Sequence, residues 1–364
     1  MERPYNFAPG PAMLPLSVLQ RIQGELLDYR GSGFSILEAS HRGPLVQALL
    51  TELRAKLRRL LAIPDAYDIL FCQGGGRLQF AMIPMNLLGA SPLASYLVTG
   101  AWSKNAAKEV LRFARPQIAF SGNGTRVPAN DEISLIPESA YCYFCDNETI
   151  HGVEFSETPQ PAESSVPLVA DMSSNFLSRP IDAEKFGLFW ACAQKNFGVA
   201  GLVVVVIRRD LLGLASPDVP TLMNYAVYSR TGSIPNTPPV FQLYVASLMA
   251  DWVEEHGGVE EMNRLAKERS SIVYRAIDEM PDTYVCRVEP ASRSRMNVCF
   301  RLKNEALTQS FLSEAAEAGL LNLGGHRSVG GIRASMYNAM PVEGAQALAD
   351  FMKAFALRHG PASI

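Results

Sequence analysis

Three near-continuous apolar runs that lie close together in the chain constrain its fold most. They are "VPLVAD" at 166–171, "FGLFWA" at 186–191 and "GLVVVVI" at 201–207. Strands that are buried on both faces have this composition, whereas strands with one face in water alternate apolar and polar residues. The runs therefore predict the middle of a sheet that is covered on both sides.

The segments before these runs alternate between helical and extended patterns. Residues 44–63, "PLVQALLTELRAKLRRLLAI", place their leucines on one face of a helix, and "YDILFC" at 67–72 predicts a strand. The turn "QGGGR" at 73–77 then leads into a helix at 78–88. This alternation predicts an α/β fold with a largely parallel sheet.

The pattern changes after residue 258. The helix "PPVFQLYVASLMADWVEEHGG" begins with prolines and ends with glycines, the usual order of helix punctuation. Beyond it, helices and strands mix in a smaller α+β unit. With 364 residues, of which 48% are hydrophobic, the chain has material for about two domains. We predict a large domain at 16–258 and a small domain formed by 1–15 and 259–364.

Composition argues against several classes of protein. The net charge of -3 gives no electrostatic footprint for nucleic acid or for an anionic membrane. No apolar run has the length of a membrane span, and the N-terminus lacks the layout of a signal peptide. Six cysteines are too sparse for a disulfide scaffold, and "CYFC" has neither a second pair nor a nearby histidine to complete a zinc site. We expect a cytoplasmic protein with reduced cysteines and no metal.

A lysine lies between two of the apolar runs, in "CAQKNFG". Burying its ammonium unpaired would be costly, so either Lys195 reaches solvent or its amine has a chemical partner. Asp171 ends the preceding run at the carboxyl edge of the sheet, and "GGGR" offers backbone N–H groups to a phosphate. A solvated lysine and a tight glycine turn would explain each feature alone. In this order, however, they are the set that a pyridoxal phosphate enzyme needs.

Longer stretches carry a resemblance to a family. The chain resembles the phosphoserine aminotransferases, which are dimeric fold-type I pyridoxal phosphate enzymes, over essentially its whole length. The resemblance implies a large cofactor-binding domain with a mostly parallel central sheet and a smaller α+β C-terminal domain. The stretches that carry it include "NFAPGPAMLP", "EASHRGP", "LFCQGGGRLQF", "CDNETIHG", "ADMSSNFLSRPID", "AQKNFGVAGL", "NTPPVF", "SRMNV" and "GHRSVGGIRASMYNAMP".

The resemblance also implies roles for the residues that face the cofactor ring. Lys195 would be the Schiff-base lysine, and Asp171 would be the partner of the pyridine nitrogen. Trp102 would stack on the ring, whereas Thr149 would hydrogen-bond its phenolic oxygen. A flat indole is suited to cover a ring face, although a buried core tryptophan would look the same in sequence.

The cofactor phosphate would be held by residues of two subunits. In the family pattern, Gly76, Arg77 and Gln194 of one subunit bind it, and Asn236 and Thr237 reach over from the other. The resemblance therefore implies a homodimer with shared active sites.

Two His-Arg pairs in loops beside glycines suggest how an anionic substrate is chosen. Guanidinium groups suit carboxylate and phosphate oxygens, and a doubly anionic substrate needs two such clamps. By resemblance, Arg333 would hold the α-carboxylate, and a second group would hold the distal phosphate or carboxylate, partly from the partner subunit. This second group consists of His41, Arg42, Arg77, His326 and Arg327.

The implied reaction interconverts O-phospho-L-serine and 2-oxoglutarate with 3-phosphooxypyruvate and L-glutamate, in serine biosynthesis. The family often also acts on 4-phosphohydroxy-L-threonine in vitamin B6 biosynthesis. Lys195 would move the α-proton, which requires a neutral amine that burial and a cationic cofactor would favour.

Departures from the commoner family pattern bear on substrate contacts. Leu78 stands where glycine is usual, Ala101 where an aromatic residue often precedes the tryptophan, and Pro9 where a small residue is common; the segment 113–128 is also shorter. Two alternatives stay open: a related pyridoxal phosphate transaminase or lyase with another amino-acid substrate, and a non-catalytic cofactor-binding regulator.

Overall fold

The computed structural model describes residues 3–162 and 165–359. Its strands are β1 (Tyr5–Asn6), β2 (Tyr67–Gly74), β3 (Leu93–Val98), β4 (Arg115–Ser121), β5 (Cys142–Cys145), β6 (Asn147–Glu148), β7 (Val153–Glu154), β8 (Leu168–Asp171), β9 (Leu188–Cys192), β10 (Gly201–Arg208), β11 (Tyr284–Val285), β12 (Asn297–Leu302), β13 (Leu320–Leu321) and β14 (Ile332–Ser335).

The α-helices are α1 (Leu16–Glu25), α2 (Pro44–Leu60), α3 (Gly76–Leu87), α4 (Ala101–Glu109), α5 (Tyr225–Arg230), α6 (Val240–Glu255), α7 (Gly258–Glu279), α8 (Thr308–Glu317) and α9 (Val342–His359). Short 3-10 turns occupy Tyr29–Gly31, Ile36–Glu38, Val110–Arg112, Asn130–Glu132, Ala183–Lys185, Arg209–Leu211, Thr221–Met223, Pro290–Ser292 and Glu305–Leu307.

Within the described residues, the central sheet has seven strands in the order β2-β10-β9-β8-β5-β3-β4. β10 runs antiparallel to both of its neighbours, whereas the other pairs of this sheet are parallel. The three apolar runs form β8, β9 and β10, which lie in the interior of the sheet. The prediction of a mostly parallel α/β sheet with these strands in its middle is therefore confirmed.

Helices cover both faces of the sheet, which explains why its inner strands are apolar throughout. Val204 and Val206 of β10 face a core that contains the leucines of α2 and the apolar residues of α6. Val203 and Val205 face the opposite core, where residues of α3 and α4 pack. Because alternate residues of a strand point to opposite faces, both sets must be apolar.

The C-terminal part forms a separate core around the sheet β11-β12-β14, packed by α7, α8 and α9. β1 pairs in parallel with β13, so the N-terminal strand lies in this part of the molecule. Val259 and Met262 of α7 pack into a core of the central sheet, whereas Val273 and Ile277 of the same helix pack into the C-terminal core. The domain boundary near residue 258 stays a prediction, and the ends of the predicted small domain, 1–2 and 360–364, lie outside the described residues.

The cysteines are unpaired, and all six lie in the described part of the chain. Cys142 and Cys145 form the ends of the buried strand β5. Among residues 3–162 and 165–359, no group of side chains suited to hold a metal ion occurs. In the same residues, no helix combines the length and the apolar character needed to cross a membrane.

Candidate active site

A cavity of about 270 Å³ lies at the carboxyl ends of β8 and β9, where α/β sheets commonly build their sites. Asp171 is the last residue of β8, and the turn that carries Lys195 follows β9 directly. The predicted site residues that line this cavity are Gly76, Arg77, Trp102, Thr149, Asp171, Gln194, Lys195, His326 and Arg333. The sheet edge thus brings together residues that are up to 257 positions apart in the chain.

Lys195 is partly buried and faces the cavity. Burial alone lowers the pKa of its amine, but Tyr337 and Asp171 act in the opposite direction and outweigh burial, so the pKa lies above its ordinary value. In the protein chain alone, the Asp171 carboxylate thus opposes the effect of burial, and the predicted neutral amine depends on the cationic cofactor as well as on burial. A proton-accepting amine at this position needs a cation that offsets Asp171.

Asp171 is held in a buried position. Its Oδ1 accepts a hydrogen bond from the backbone N–H of Ser173 at 2.9 Å. Burial raises the pKa of the Asp171 carboxyl to about 6, although the Lys195 ammonium and Ser173 oppose this shift. Near neutral pH the site therefore presents a buried carboxylate, which is a strong partner for a cationic ring nitrogen.

Trp102 and Thr149 are joined by a hydrogen bond across the cavity wall. Trp102 lies in the first turn of α4, and its Nε1–H donates to Oγ1 of Thr149 at 2.9 Å. Since a hydroxyl can accept and donate at the same time, Thr149 keeps its own proton for a group inside the cavity. The indole is fixed in orientation before any ring stacks against it.

A buried carboxylate supports Trp102 from behind. Glu148 accepts hydrogen bonds from the backbone N–H of Trp102 at 2.9 Å and from the N–H and hydroxyl of Ser103 at 2.8 and 2.6 Å. A carboxylate is favourable at a helix N-terminus, and here it caps α4. A Cβ at Gly100 would lie 2.6 Å from Glu148 Cδ, so only glycine fits there.

The sequence analysis missed Glu148 as a supporting residue. The usual signal for a helix cap lies within a few residues of the helix start, whereas Glu148 lies 46 positions after Trp102. No spacing rule could have linked the two.

The opposite end of the cavity is built from the turn between β2 and α3. α3 begins at Gly76, and the first N–H groups of a helix have no partner within it. A Cβ at Gly76 would lie 3.0 Å from the Trp190 ring and 3.2 Å from Cys192 Sγ, whereas one at Gly75 would meet nothing within 4 Å. The glycines thus bring the helix start close to β9 and leave open space in front of it, which suits a phosphate.

Arg333 forms the third side of the cavity. Only 6% of this residue is exposed, and one guanidinium nitrogen donates to the carbonyl oxygen of Thr149 at 3.1 Å. Its Nε has no hydrogen-bond partner among the described residues. Burial, together with Arg333 and Arg327, lowers the pKa of His326. These groups form a positive region that an anion would stabilise.

The remaining predicted residues do not line this cavity within one chain. Asn236 donates to Gln73 Oε1 at 3.4 Å, and Gln73 donates to the carbonyl oxygen of Thr237. Arg42 and Arg327 are exposed, and His41 is partly exposed. Their roles stay predictions, and the cavity of a single chain lacks them.

A second and larger cavity, of about 420 Å³, adjoins the first. The two cavities share Ile150 and Arg333, but neither Lys195 nor Asp171 lines the larger one. Lys195 and Asp171 therefore meet in the smaller cavity.

Comparison with known proteins agrees with this geometry. The sequence profile named "Aminotransferase class-V" matches residues 4–348. The chain belongs to the class-V aminotransferase family. The resemblance to this family and the predicted α/β fold are therefore confirmed.

Relatives named phosphoserine aminotransferase match over nearly the full length. The chain is 48% identical to the one from Laribacter hongkongensis, over 98% of this chain and 99% of that protein. It is 49% identical to the one from Aromatoleum aromaticum, over 99% and 100%. The solved phosphoserine aminotransferase of Bacillus circulans subsp. alkalophilus has a TM-score of 0.96 at 44% identity, over 99% of this chain and 100% of that one. The PLP-bound enzyme of Trichomonas vaginalis has a TM-score of 0.92 at 43% identity, over 96% and 100%.

The residues around the smaller cavity fit pyridoxal phosphate. The cavity holds one lysine amine, one buried carboxylate and one indole whose ring nitrogen is already bonded. The open space in front of Gly75 and the free N–H groups of α3 suit the phosphate. The donor set thus matches the reactive group, the ring and the anionic end of this cofactor.

Proposed function

We propose that this chain is the pyridoxal phosphate-dependent transaminase that exchanges the amino group between O-phospho-L-serine and 2-oxoglutarate, giving 3-phosphooxypyruvate and L-glutamate. This places the chain in serine biosynthesis. The observation that carries the proposal is that Lys195, Asp171 and Arg333 line one cavity in a chain whose full-length relatives are phosphoserine aminotransferases.

Pyridoxal phosphate, when bound, supplies the aldehyde that carries the amino group and a ring that takes up the electron pair of the broken Cα–H bond. Lys195 holds this cofactor before substrate arrives and then accepts the Cα proton at its Nζ. Because Asp171 raises the pKa of the Lys195 amine, a cation beside Asp171 lowers that pKa toward the value a base needs. Asp171 thus keeps the ring nitrogen protonated and prepares Lys195 at the same time.

Trp102 and Thr149 orient the ring. The indole would cover one ring face, and its hydrogen bond to Thr149 fixes the position of the threonine hydroxyl. Glu148 holds the first turn of α4, and with it Trp102, by accepting hydrogen bonds from the N–H groups of Trp102 and Ser103. Trp102 and Thr149 would therefore orient the cofactor ring toward the Lys195 amine.

Arg333 binds the α-carboxylate that every amino-acid substrate carries. His326 and Arg77 line the same cavity and meet the distal phosphate or carboxylate, together with His41, Arg42 and Arg327. A guanidinium fork binds two oxygens of such a group at once. A substrate with anions at both ends is thereby selected over serine or alanine.

A homodimer completes this site. Four predicted site residues lie outside the cavity of their own chain: His41, Arg42, Asn236 and Thr237. This supports a role for them in the cavity of a neighbouring subunit. The N-terminal region also exposes large apolar side chains, including Leu16 at 55%, Leu27 at 85% and Leu37 at 62%. Exposed apolar side chains on this scale favour an interface with a second copy.

The shared site can be tested by complementation. Lys195→Ala subunits lack the amine, and subunits with both Asn236→Ala and Thr237→Ala lack the predicted phosphate contacts. Mixing them should restore about one working site per heterodimer across a two-fold interface. If heterodimers form but no activity returns, each chain must complete its own site.

The activity is tested by comparing amino donors. O-phospho-L-serine should support glutamate formation from 2-oxoglutarate, whereas L-alanine and L-serine at the same concentration should support little. A related transaminase would prefer one of the unphosphorylated donors. A non-catalytic regulator would change its visible absorbance with O-phospho-L-serine without forming glutamate.

The unpaired state of all cysteines supports the predicted cytoplasmic location, since such thiols persist in a reducing compartment. Mass spectrometry of protein that is alkylated as the cells are broken should find them as free thiols.

A further inference from the structure

The segment Pro9–Ala12, which we call the crossing segment, passes directly over the catalytic lysine. The backbone N–H of Ala12 donates to the carbonyl oxygen of Gln194 at 2.9 Å. Gly10 packs on the lysine stem so closely that a Cβ there would lie 3.3 Å from Lys195 Cγ. The crossing segment therefore forms one wall of the channel in which the Lys195 side chain lies.

A tyrosine of the C-terminal part holds the other end of this segment. The hydroxyl of Tyr337 donates to the carbonyl oxygen of Pro9 at 2.7 Å, and only 2% of the tyrosine is exposed. The same hydroxyl accepts a hydrogen bond from Asn297 Nδ2 at 3.3 Å, and Asn297 Oδ1 accepts from Asn147 Nδ2 at 2.8 Å. Because the hydroxyl accepts from Asn297, its proton is directed at Pro9.

The residue after Tyr337 reaches the other neighbour of the lysine. The backbone N–H of Asn338 donates to Oδ1 of Asn196 at 2.9 Å, and its side-chain amide donates to the carbonyl oxygen of Leu177 at 2.8 Å. Gln194 and Asn196, on either side of Lys195, are thus held by the crossing segment and by the loop after β14.

We propose that Tyr337 is a positioning residue for Lys195: by holding the carbonyl of Pro9, its hydroxyl keeps the crossing segment against the lysine stem and so sets where the Lys195 amine lies. This inference rests on the proposed function, since it assigns the residue that prepares Lys195 for proton transfer.

This arrangement affects proton transfer more than substrate binding. Without the hydroxyl, the carbonyl oxygen of Pro9 loses its donor, and the exposed Gly10 is free to move away from the lysine stem. Arg333 is held separately, through the carbonyl oxygen of Thr149. The Lys195 amine should therefore become misplaced while the substrate still binds.

The test compares Tyr337→Phe with Tyr284→Phe in the holoenzyme. Tyr284 is a matched control because its buried hydroxyl also donates to a backbone carbonyl, that of Met352 at 2.8 Å, but in the C-terminal core. Tyr337→Phe should lower kcat about tenfold or more and leave KM for O-phospho-L-serine within about twofold, because small misplacements of a reacting group are costly. Tyr284→Phe should change neither constant.

A second measurement does not depend on activity. In cofactor-free protein, hydrogen exchange followed by mass spectrometry should become faster in peptides covering 8–13 and 193–198 of Tyr337→Phe. Peptides from β10 should exchange as in the wild type. Tyr284→Phe should leave all of these peptides unchanged.

The outcomes separate the inference from the proposed function. Unchanged exchange at 8–13 and 193–198, or a rise in KM in step with a fall in kcat, would overturn the role of Tyr337. A wild-type protein that forms no glutamate from O-phospho-L-serine would overturn the function, and the exchange experiment would still decide the contact with Pro9. If Tyr337→Phe does not fold, Gly10→Ala offers a second test, because an alanine is strained at the φ of +130° and its Cβ would lie 3.3 Å from Lys195 Cγ. This displaces the crossing segment, so kcat should fall while KM changes little, and an unchanged kcat would refute the inference.

Discussion

The two ends of the cavity are built differently. At the lysine end, Asp171 is bonded to Ser173, and Trp102 is bonded to Thr149 and Glu148, so these side chains have fixed positions in a single chain. At the other end, the arginines proposed to bind the distal anion, Arg42, Arg77 and Arg327, are exposed. The side chains at the lysine end are thus fixed by hydrogen bonds within the chain, whereas the exposed arginines proposed to meet the distal anion have no such fixed arrangement.

The difference follows from the cost of burial. A charge inside the protein needs neighbours that offset its desolvation, and Asp171 shows that this offset is incomplete, because its pKa remains raised to about 6. An exposed guanidinium remains hydrated, so it needs no charged neighbour before an anion binds. Substitutions at the two ends should therefore change different quantities.

The largest effect is expected for Lys195→Ala. Loss of the base should lower kcat by on the order of a thousandfold or more, while the cofactor still binds without a covalent link. Steady-state assays and the visible spectrum measure both effects. Reduction of the wild-type holoenzyme with borohydride, followed by peptide mapping, should label Lys195. Labelling of a different lysine would refute the assignment.

Asp171→Asn should change stability and activity in opposite directions. The folded pKa of Asp171 is raised from 3.8 to about 6, so the folded chain binds more protons than the unfolded chain between these values, and stability falls as pH rises through them. Above pH 7 this corresponds to roughly 3 kcal/mol, which the neutral amide does not incur. Cofactor-free Asp171→Asn should thus be more stable than the wild type at pH 8. This gain in stability should be smaller at pH 5.

Urea unfolding of the cofactor-free proteins at both pH values measures this difference, and turnover of the loaded variant should fall because the ring nitrogen loses its carboxylate. A variant that loses both stability and turnover at pH 8 would mean that Asp171 is needed mainly by the fold.

The sequence predicted the residues at the lysine end of the cavity better than the residues that support them. Asp171 and Lys195 could be found because each follows an apolar strand, and strand ends of a parallel sheet meet at one edge. Glu148 and Tyr337 could not be found in this way, since they act through backbone groups of segments far away in the chain. The effect of Asp171 on the pKa of Lys195, which opposes that of burial, also depends on distances that no sequence pattern contains.

The buried Arg333 and the exposed Arg42 and Arg327 should affect substrates differently. Replacing Arg333 by Leu should weaken glutamate and O-phospho-L-serine alike, because both carry an α-carboxylate. Replacing Arg42 or Arg327 by Gln should lower kcat/KM for O-phospho-L-serine by about 2–3 kcal/mol, and that for glutamate by less, because the phosphate has more charge and more acceptor oxygens. Lysine at either position should rescue only in part, because a point charge does not reproduce the fork. Equal losses for both substrates at all three positions would show that these arginines only shape the site.

Glu148→Gln should give the smallest effect, because two contributions oppose each other. The amide keeps one acceptor oxygen, and we expect it to face the two donors of Ser103, so the N–H of Trp102 loses its partner. Burial raises the pKa of Glu148, so the neutral amide also avoids a desolvation cost that the carboxylate carries. The net change in unfolding free energy should stay within about 1 kcal/mol. Cofactor affinity should fall about three- to tenfold as the start of α4 loosens under the indole, which titration of cofactor-free protein measures.

Glu132→Gln is the matched control, since Glu132 accepts from the backbone N–H of Ala129 at 2.8 Å at the start of an exposed turn outside the cavity. It should leave cofactor affinity unchanged. If Glu148→Gln also leaves it unchanged, the buried end does not need this carboxylate to position Trp102. If it instead weakens cofactor binding more than about a hundredfold, the loss exceeds what one backbone hydrogen bond explains. Glu148 would then act on the cofactor more directly than through the start of α4.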